Sequence, residues 1–345
     1  MAGGAGERFW PRSRRAHPKP LLRVFGRSTL LDAALAHARR FAGPERVWIV
    51  CTEENAAAIR KASGLSRSRL LIEPRGRNTA MAVGFAAARI AAHDPDAVLA
   101  MLPADHVIPD ASAFAAALRR GARAAQDGAL VTLGIEPTRP ETGYGYIRPG
   151  APASRAHPGL RRVRRFLEKP SAAVARRLLR AGGHLWNAGI FVWTAASILE
   201  EIEVCAPDLA RALAPLRATP TREAIARAYR RAPSLAIDVA VLERSKRVWT
   251  LPVGFRWSDV GTWASLAEEL GVTPRRSRVV AGDALFEAAP GNLVWADDRP
   301  IALLGVEGLA VVDAGDAVLI ARLDRSADVR CIVRALKARG LRNLV

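Results

Sequence analysis

Near the start of the sequence, Gly3, Gly4 and Gly6 are followed by Arg8 and then by Lys19, set between Pro18 and Pro20. Near-adjacent glycines let a backbone turn tightly and bring bare N–H groups against an anion, which is what cradling a phosphate requires. Arg8 adds a planar fork of donors and Lys19 a compact point charge, so one short stretch supplies both kinds of phosphate partner. No Gly-Lys-Ser/Thr follows the glycines, which argues against a Walker loop and its ATPase or GTPase chemistry. A flexible chain terminus would carry similar letters, so the remaining residues decide. Asp105, in Pro103-Ala104-Asp105-His106, is a carboxylate at the end of an apolar run and suits Mg²⁺, a hard cation that prefers oxygen; a turn or cap residue is its plain alternative. Asp259, in Trp257-Ser258-Asp259-Val260-Gly261, is a second carboxylate of the kind that metal binding by one aspartate lacks, and it too could simply cap a helix.

Other candidates are spread along the chain. Asn78, in Arg77-Asn78-Thr79, stands where a helix should begin, and it serves equally as an N-cap or as a partner for a nucleotide at a helix N-terminus. Gly143-Tyr144-Gly145 lets backbone approach a flat ligand, although a tight hairpin has the same letters. Glu168 can accept hydrogen bonds from hydroxyls and Lys169 can neutralise a phosphate; an exposed ion pair is the alternative. His106 has no nucleophile or second ligand beside it and reads as structural.

These residues need a frame. Apolar spacing predicts helices over 30–40 and 53–63 and buried strands over 47–51 and 69–72, then an alanine-rich helix to 93 and a central strand over 97–102. A helix over 112–125 and a strand over 130–135 continue the pattern. Such alternation predicts an α/β, Rossmann-like, mainly parallel sheet with helices on both faces and with ligands at the carboxyl ends of the strands. Helices over 195–204, 209–216 and 222–230 form a covering layer. After Thr273, short apolar runs recur between Gly, Asp and Pro turns and predict a small all-β unit, closed by a helix over 327–339. The expected domains are thus 1–272 and 273–345.

Composition narrows the classes. Half the residues are hydrophobic (50%), enough for a large core, and no apolar run approaches a membrane span or a signal peptide, so a soluble cytoplasmic protein is expected. The three cysteines, Cys51, Cys205 and Cys331, are far apart and have no ligand spacing, so neither disulfides nor zinc are expected. The formal charge of +19 would suit nucleic acid, but the arginines are scattered and have no aromatic-basic alternation, so no nucleic-acid partner is expected.

The stretch Ala2 to Arg14, with Pro18-Lys19-Pro20-Leu21-Leu22 after it, resembles the signature of sugar-1-phosphate nucleotidylyltransferases; its Trp10-Pro11-Arg12-Ser13-Arg14 part resembles the bacterial mannose-1-phosphate guanylyltransferases. Similar matches recur in Glu73-Pro74 with Arg77-Asn78-Thr79-Ala80, in Pro103 to His106, in Gly143 to Ile147, in Phe166 to Pro170, in Trp186 to Phe191, and in Phe255 to Trp263. Ala236-Ile237-Asp238 departs from the pattern, having Ala where Ser is usual, and Asp238 is held as a lesser candidate. The resemblance implies transfer of GMP from GTP to mannose 1-phosphate. It implies catalytic roles for Arg8, Lys19 and Asp105 and nucleotide contacts from Gly3, Gly4, Gly6, Arg77, Asn78 and Thr79. It also implies sugar-phosphate contacts from Gly143, Tyr144, Gly145, Glu168, Lys169 and Asn187, and Mg²⁺ on Asp105 and Asp259. A C-terminal left-handed β-helix-like domain is implied too, with a homodimer as the assembly to test. The same chemistry on another sugar 1-phosphate, such as a heptose, or with another nucleotide is the near alternative; a non-catalytic regulatory subunit is the distant one.

Two further expectations follow from the resemblance. A buried strand should lead into the glycines, yet Met1 stands where that strand should end, so the expected start lies upstream and the chain as given should be unstable or inactive. Some relatives carry a following isomerase domain with a metal site, and the segment after Thr273 has no histidine, so a single activity is expected.

Overall fold

The computed structural model describes residues 1–4, 6–217 and 220–345, so Ala5 of the glycine motif lies outside the described residues. The first part alternates as the apolar spacing requires: α1 (Leu30–Ala42), β1 (Ile49–Thr52), α2 (Glu53–Ser63), β2 (Leu70–Glu73), α3 (Asn78–Ala91), β3 (Val98–Met101), α4 (Ala111–Gln126) and β4 (Leu130–Ile135). Then come β5 (Tyr146–Pro152), β6 (Arg161–Leu167), α5 (Ala172–Ala181), β7 (Leu185–Thr194), α6 (Ala195–Cys205), α7 (Pro207–Leu213), α8 (Arg222–Arg231), β8 (Val248–Val253) and α9 (Trp263–Glu269).

A large sheet has the order β3-β7-β4-β8-β6-β5, and β1 pairs with β2 alone. The α/β architecture is as expected, but the large sheet is mixed rather than mainly parallel. β4 and β8 are parallel, whereas β7 runs antiparallel to β3, β4 and β5, and β6 antiparallel to β5 and β8. The reason is local: parallel pairing needs a crossover helix between neighbours, and that alternation stops at β4, after which β5 and β6 follow each other as a hairpin. Alternate side chains of the strands serve opposite faces, as strand periodicity dictates. Phe191 and Trp193 of β7 pack in one core with α3, α6 and α7, while Ile190 and Val192 pack in another with Phe114 and Leu118 of α4.

Met1 and Ala2 bridge the two sheets. The Ala2 N–H donates to the Val50 carbonyl at 2.7 Å, the Ala104 N–H donates to the Met1 carbonyl at 3.0 Å, and the Met1 ammonium donates to the Leu102 carbonyl at 2.7 Å. Behind them β1 and β3 do not pair with each other, and a cavity of about 600 Å³ lies between them, lined by Leu35, Val50, Ile90 and Leu99 among others.

The short apolar runs near the C-terminus form β9 (Arg278–Ala281), β10 (Ala284–Glu287), β11 (Leu293–Trp295), β12 (Ile301–Leu304), β13 (Leu309–Asp313) and β14 (Val318–Arg322), followed by α10 (Val329–Ala338). β9, β11 and β13 pair in parallel, as do β10 and β12, which gives stacked coils, and β14 closes the first set antiparallel. This unit docks on the glycine loop. The Trp10 indole N–H donates to the Leu344 carbonyl at 2.7 Å, and Phe9, Trp263 and Trp295 share one core with Val312 and Val333. Arg14 pairs with Asp316, and Lys337 with Glu7.

Candidate active site

The glycine loop follows the Met1–Ala2 bridge and so leaves the sheet between β1 and β3. Gly6 has a φ of 59°, and a Cβ there would lie 2.3 Å from Ser13 Oγ and 2.8 Å from Lys19 Cβ, so only glycine fits. A Cβ on Gly4 would meet nothing within 4 Å, which leaves its backbone open to the cleft. The loop thereby buries Lys19, whose ammonium donates to Asp105 Oδ2 at 2.7 Å and to the Asp259 carbonyl at 2.8 Å.

Asp105 and Asp259 come from distant elements but are aligned by an antiparallel bridge in which Val107 and Ser258 exchange backbone hydrogen bonds of 2.8 and 3.1 Å. Neither caps a helix. Asp110 caps α4 and Thr262 caps α9, so the cap alternative is removed for both aspartates, while Asp105 does lie in a turn at the end of β3. Burial works to raise the Asp105 pKa, but the Lys19 ammonium, His106 and the Met1 ammonium together outweigh it and hold the carboxylate below its ordinary value. Asp259 Oδ1 accepts from the Tyr144 hydroxyl at 2.7 Å and from the Gly261 N–H at 2.9 Å. Burial and the Asp259 charge push the Tyr144 phenol far up, so it stays a donor. His106 accepts from the Trp257 indole at 3.2 Å and is fixed there, in keeping with a structural residue.

On the β7 side of the cleft, Asn187 is buried. Its Oδ1 accepts from the Thr132 hydroxyl at 2.7 Å, and its Nδ2 donates to Asp238 Oδ1 at 2.8 Å. Burial, then the neighbouring Glu168 charge, raise the Asp238 pKa, so the lesser candidate does belong to this cluster. Lys169 pairs with Glu168 at 2.9 Å, from a strained backbone with φ of 44°. A Cβ on Gly145 would lie 2.6 Å from Glu168 Oε2, and the Gly143 N–H donates to Glu141.

On the β2 side the sequence expectations need correction. Asn78 does not act as the N-cap of α3: the capping position is Arg77, and Asn78 is the first helical residue, at φ 63°, with its Oδ1 accepting from the adjacent Thr79 N–H. Arg77 gives its donors to the Tyr229 and Arg230 carbonyls, and Thr79 Oγ1 accepts from the Ile237 N–H. Both tie α3 to segments far along the chain, which no local spacing reveals.

All the candidate site residues read from the sequence, except Arg8, line one cavity of about 390 Å³. Arg8 lines an adjoining cavity of similar size together with Lys19, Asp105 and Asp259, and Arg330 of α10 joins it there. Nothing in the sequence marks Arg330, because only tertiary docking brings it near. Glu73 was also missed, although an acid ending a strand beside a glycine loop is the same signal that marks Asp105.

Comparison with known proteins bears on the family. Residues 1–272 match the nucleotidyl transferase family, and residues 288–336 match the MannoseP isomerase/GMP-like beta-helix domain. The alginate biosynthesis protein AlgA of Pseudomonas aeruginosa is 37% identical over 348 residues, which cover 99% of this chain and 72% of that protein. A mannose-1-phosphate guanylyltransferase of Escherichia coli is 35% identical over 350 residues, covering 98% of this chain and 73% of the relative. A solved Thermus thermophilus structure, described as a mannose-1-phosphate geranyltransferase, superposes with a TM-score of 0.88 at 37% identity over 98% of both chains. With residues 1–272 and the β-helical unit both matched, the chain belongs to the nucleotidyl transferase family, among the mannose-1-phosphate guanylyltransferases.

Proposed function

We propose that this chain transfers GMP from GTP to mannose 1-phosphate, forming GDP-mannose and pyrophosphate. The observation that carries the reading is the meeting of Lys19, Asp105 and Asp259 where two cavities adjoin, one extending to Glu168, Lys169 and Asn187 and the other to Arg8. Two phosphate-bearing reactants converging on shared charge need such a junction.

In this reading the N–H groups around Gly3, Gly4 and Gly6 hold the triphosphate, and Arg77, Asn78 and Thr79 frame the nucleoside. Gly143, Tyr144, Gly145, Glu168, Lys169 and Asn187 hold the sugar phosphate. The phosphate oxygen of mannose 1-phosphate attacks the α-phosphorus in line; the new P–O bond forms as the bond to the β-phosphate oxygen breaks, and pyrophosphate leaves. No covalent enzyme intermediate is needed. Lys19 and Arg8 neutralise charge on the leaving group, and the cleft supplies orientation.

The donor set fits Mg²⁺. Asp105 Oδ1 and Asp259 Oδ2 have no hydrogen bond to the described residues, and no group of three or more His, Cys, Asp or Glu suited to a metal occurs among them. Two carboxylates completed by substrate oxygens and water are what Mg²⁺ takes at phosphate sites. When bound, the ion supplies charge neutralisation at the phosphates. No described helix is long and apolar enough to cross a membrane, and a cytoplasmic setting suits these soluble substrates. Product analysis by mass spectrometry, with a panel of nucleoside triphosphates against a panel of hexose and heptose 1-phosphates, tests the assignment. GDP-mannose should dominate, and a preference for any other pair would overturn it.

A further inference from the structure

Glu73 is an acid of the cleft to which the reaction above gives no task and, unlike Asp238, which accepts from Asn187, it has an oxygen without a partner among the described residues. It ends β2, is 3% exposed, and lines the same cavity as the glycine loop. Its Oε2 lies 3.0 Å from where a Cβ on Gly3 would be, so the carboxyl packs directly on the first glycine of the loop. Its Oε1 has no hydrogen-bond partner among the described residues. The nearby cationic side chains are committed elsewhere: Lys19 to Asp105, and Arg75 and Arg77 to the carbonyls of Tyr229 and Arg230. Burial raises the Glu73 pKa to about 7, with the Tyr229 hydroxyl and the Met1 ammonium offsetting part of the effect. A buried acid with a bare oxygen and no ion pair among the described residues is costly in the free protein, and a ligand carrying donors would relieve it.

The sheet order indicates which part of the ligand arrives there. Met1 and Ala2 sit between β1 and β3, with β2 beyond β1 and β7 beyond β3. Glu73 and Asn187 therefore lie on opposite sides of the glycine loop. With phosphates at the loop and the sugar phosphate on the β7 side, the nucleoside extends toward β2. Resting on the GMP-transfer reading, we propose that Glu73 selects the base, its two carboxylate oxygens accepting from guanine N1–H and the 2-amino group. Among the common bases guanine alone presents two adjacent donors on that edge. Adenine offers an acceptor at N1, and uracil flanks its N3–H with carbonyls that a carboxylate repels.

The test compares kcat/KM for GTP and for inosine triphosphate, which lacks only the 2-amino group, in the unaltered protein and in Glu73→Gln, with mannose 1-phosphate as acceptor. The unaltered protein should prefer GTP by about ten- to a hundredfold, the effect of one charge-assisted hydrogen bond. In Glu73→Gln the efficiency with GTP should fall by about a hundredfold, chiefly through KM, and the GTP preference should collapse toward unity. A merely structural role would lower both substrates together and leave the ratio intact, and that result would overturn the proposal. Equal use of both nucleotides by the unaltered protein would overturn it with no variant needed. Failure to form GDP-mannose from GTP at all is a different outcome, which sinks the reaction assignment and the base reader with it.

Discussion

The Lys19 ammonium stands 2.7 Å from Asp105 Oδ2 and 2.8 Å from the main-chain carbonyl of Asp259, so one buried cation joins the end of β3 to the loop before α9. Its position is set by the glycine loop, since any side chain at Gly6 would displace it. Loop conformation and the positions of the two aspartate segments are therefore coupled through a single side chain.

The two carboxylates should be separable from the fold. Asp105→Asn and Asp259→Asn each keep shape and remove charge, and each should lower turnover about a hundredfold, the equivalent of roughly 3 kcal/mol. Steady-state kinetics across a Mg²⁺ titration should recover part of the loss at high metal. Near-normal turnover at low Mg²⁺ in both variants would contradict the metal assignment.

On the sugar side, Gly145→Ala places a Cβ 2.6 Å from Glu168 Oε2 and 3.1 Å from the Phe166 ring, so Glu168 must move. The KM for mannose 1-phosphate should rise about tenfold, roughly 1.4 kcal/mol of binding, as it should for Lys169→Ala. Affinity for GTP alone, measured calorimetrically, should stay within about twofold in both variants. A loss of GTP affinity equal to the loss for sugar phosphate would show that the β7 side does not serve the sugar.

Glu73 also makes a stability prediction. Its folded pKa of about 7 lies above the ordinary carboxylate value of 4.5, because burial disfavours the charged form more than Tyr229 and the Met1 ammonium restore it. Between those values the folded state holds a proton that the unfolded state releases, so stability falls as pH rises from 4.5 to 7. The neighbouring titratable groups are the Met1 ammonium, Tyr229 and Cys51, and burial shifts each of them away from its charged form. Glu73→Gln removes the Glu73 contribution. In urea unfolding without nucleotide, the stability difference between Glu73→Gln and the unaltered protein should move by about 3 kcal/mol in favour of the variant from about pH 4.5 to about pH 8. A difference that does not vary with pH would contradict it.

The gap between β1 and β3 predicts an engineered gain. Joining an apolar extended segment of about six residues before Met1 would pair both strand edges and fill the cavity of about 600 Å³. Each fully buried Val or Ile contributes about 1.5–3 kcal/mol, so the melting temperature should rise by well over about 10 °C. An unchanged melting temperature would show that the slot does not accept a strand.

What could be read from the sequence was what is local. The glycine loop, Asp105 after an apolar strand, the Gly-Tyr-Gly segment and the four apolar runs that form β11 to β14 each carry their signal within a few residues. What could not be read depends on distant partners. Local spacing makes Asn78 a cap of α3, yet its left-handed backbone and the clasp of Arg77 on α8 follow from how α3 meets the 229–237 segment. Strand direction after β4 was hidden because the apolar run of β7 looks the same whichever way it enters the sheet. The pairing of Asp105 with Asp259 needed the Val107–Ser258 bridge, and Arg330 needed the docking of α10.

Continuous measurement of pyrophosphate release shows whether this cleft joins GTP to mannose 1-phosphate. With both substrates and Mg²⁺, pyrophosphate should appear in equal amount to GDP-mannose, with neither formed when one substrate is omitted, and Lys19→Ala should abolish both. Release of pyrophosphate from GTP without mannose 1-phosphate, or full activity in Lys19→Ala, would contradict the account.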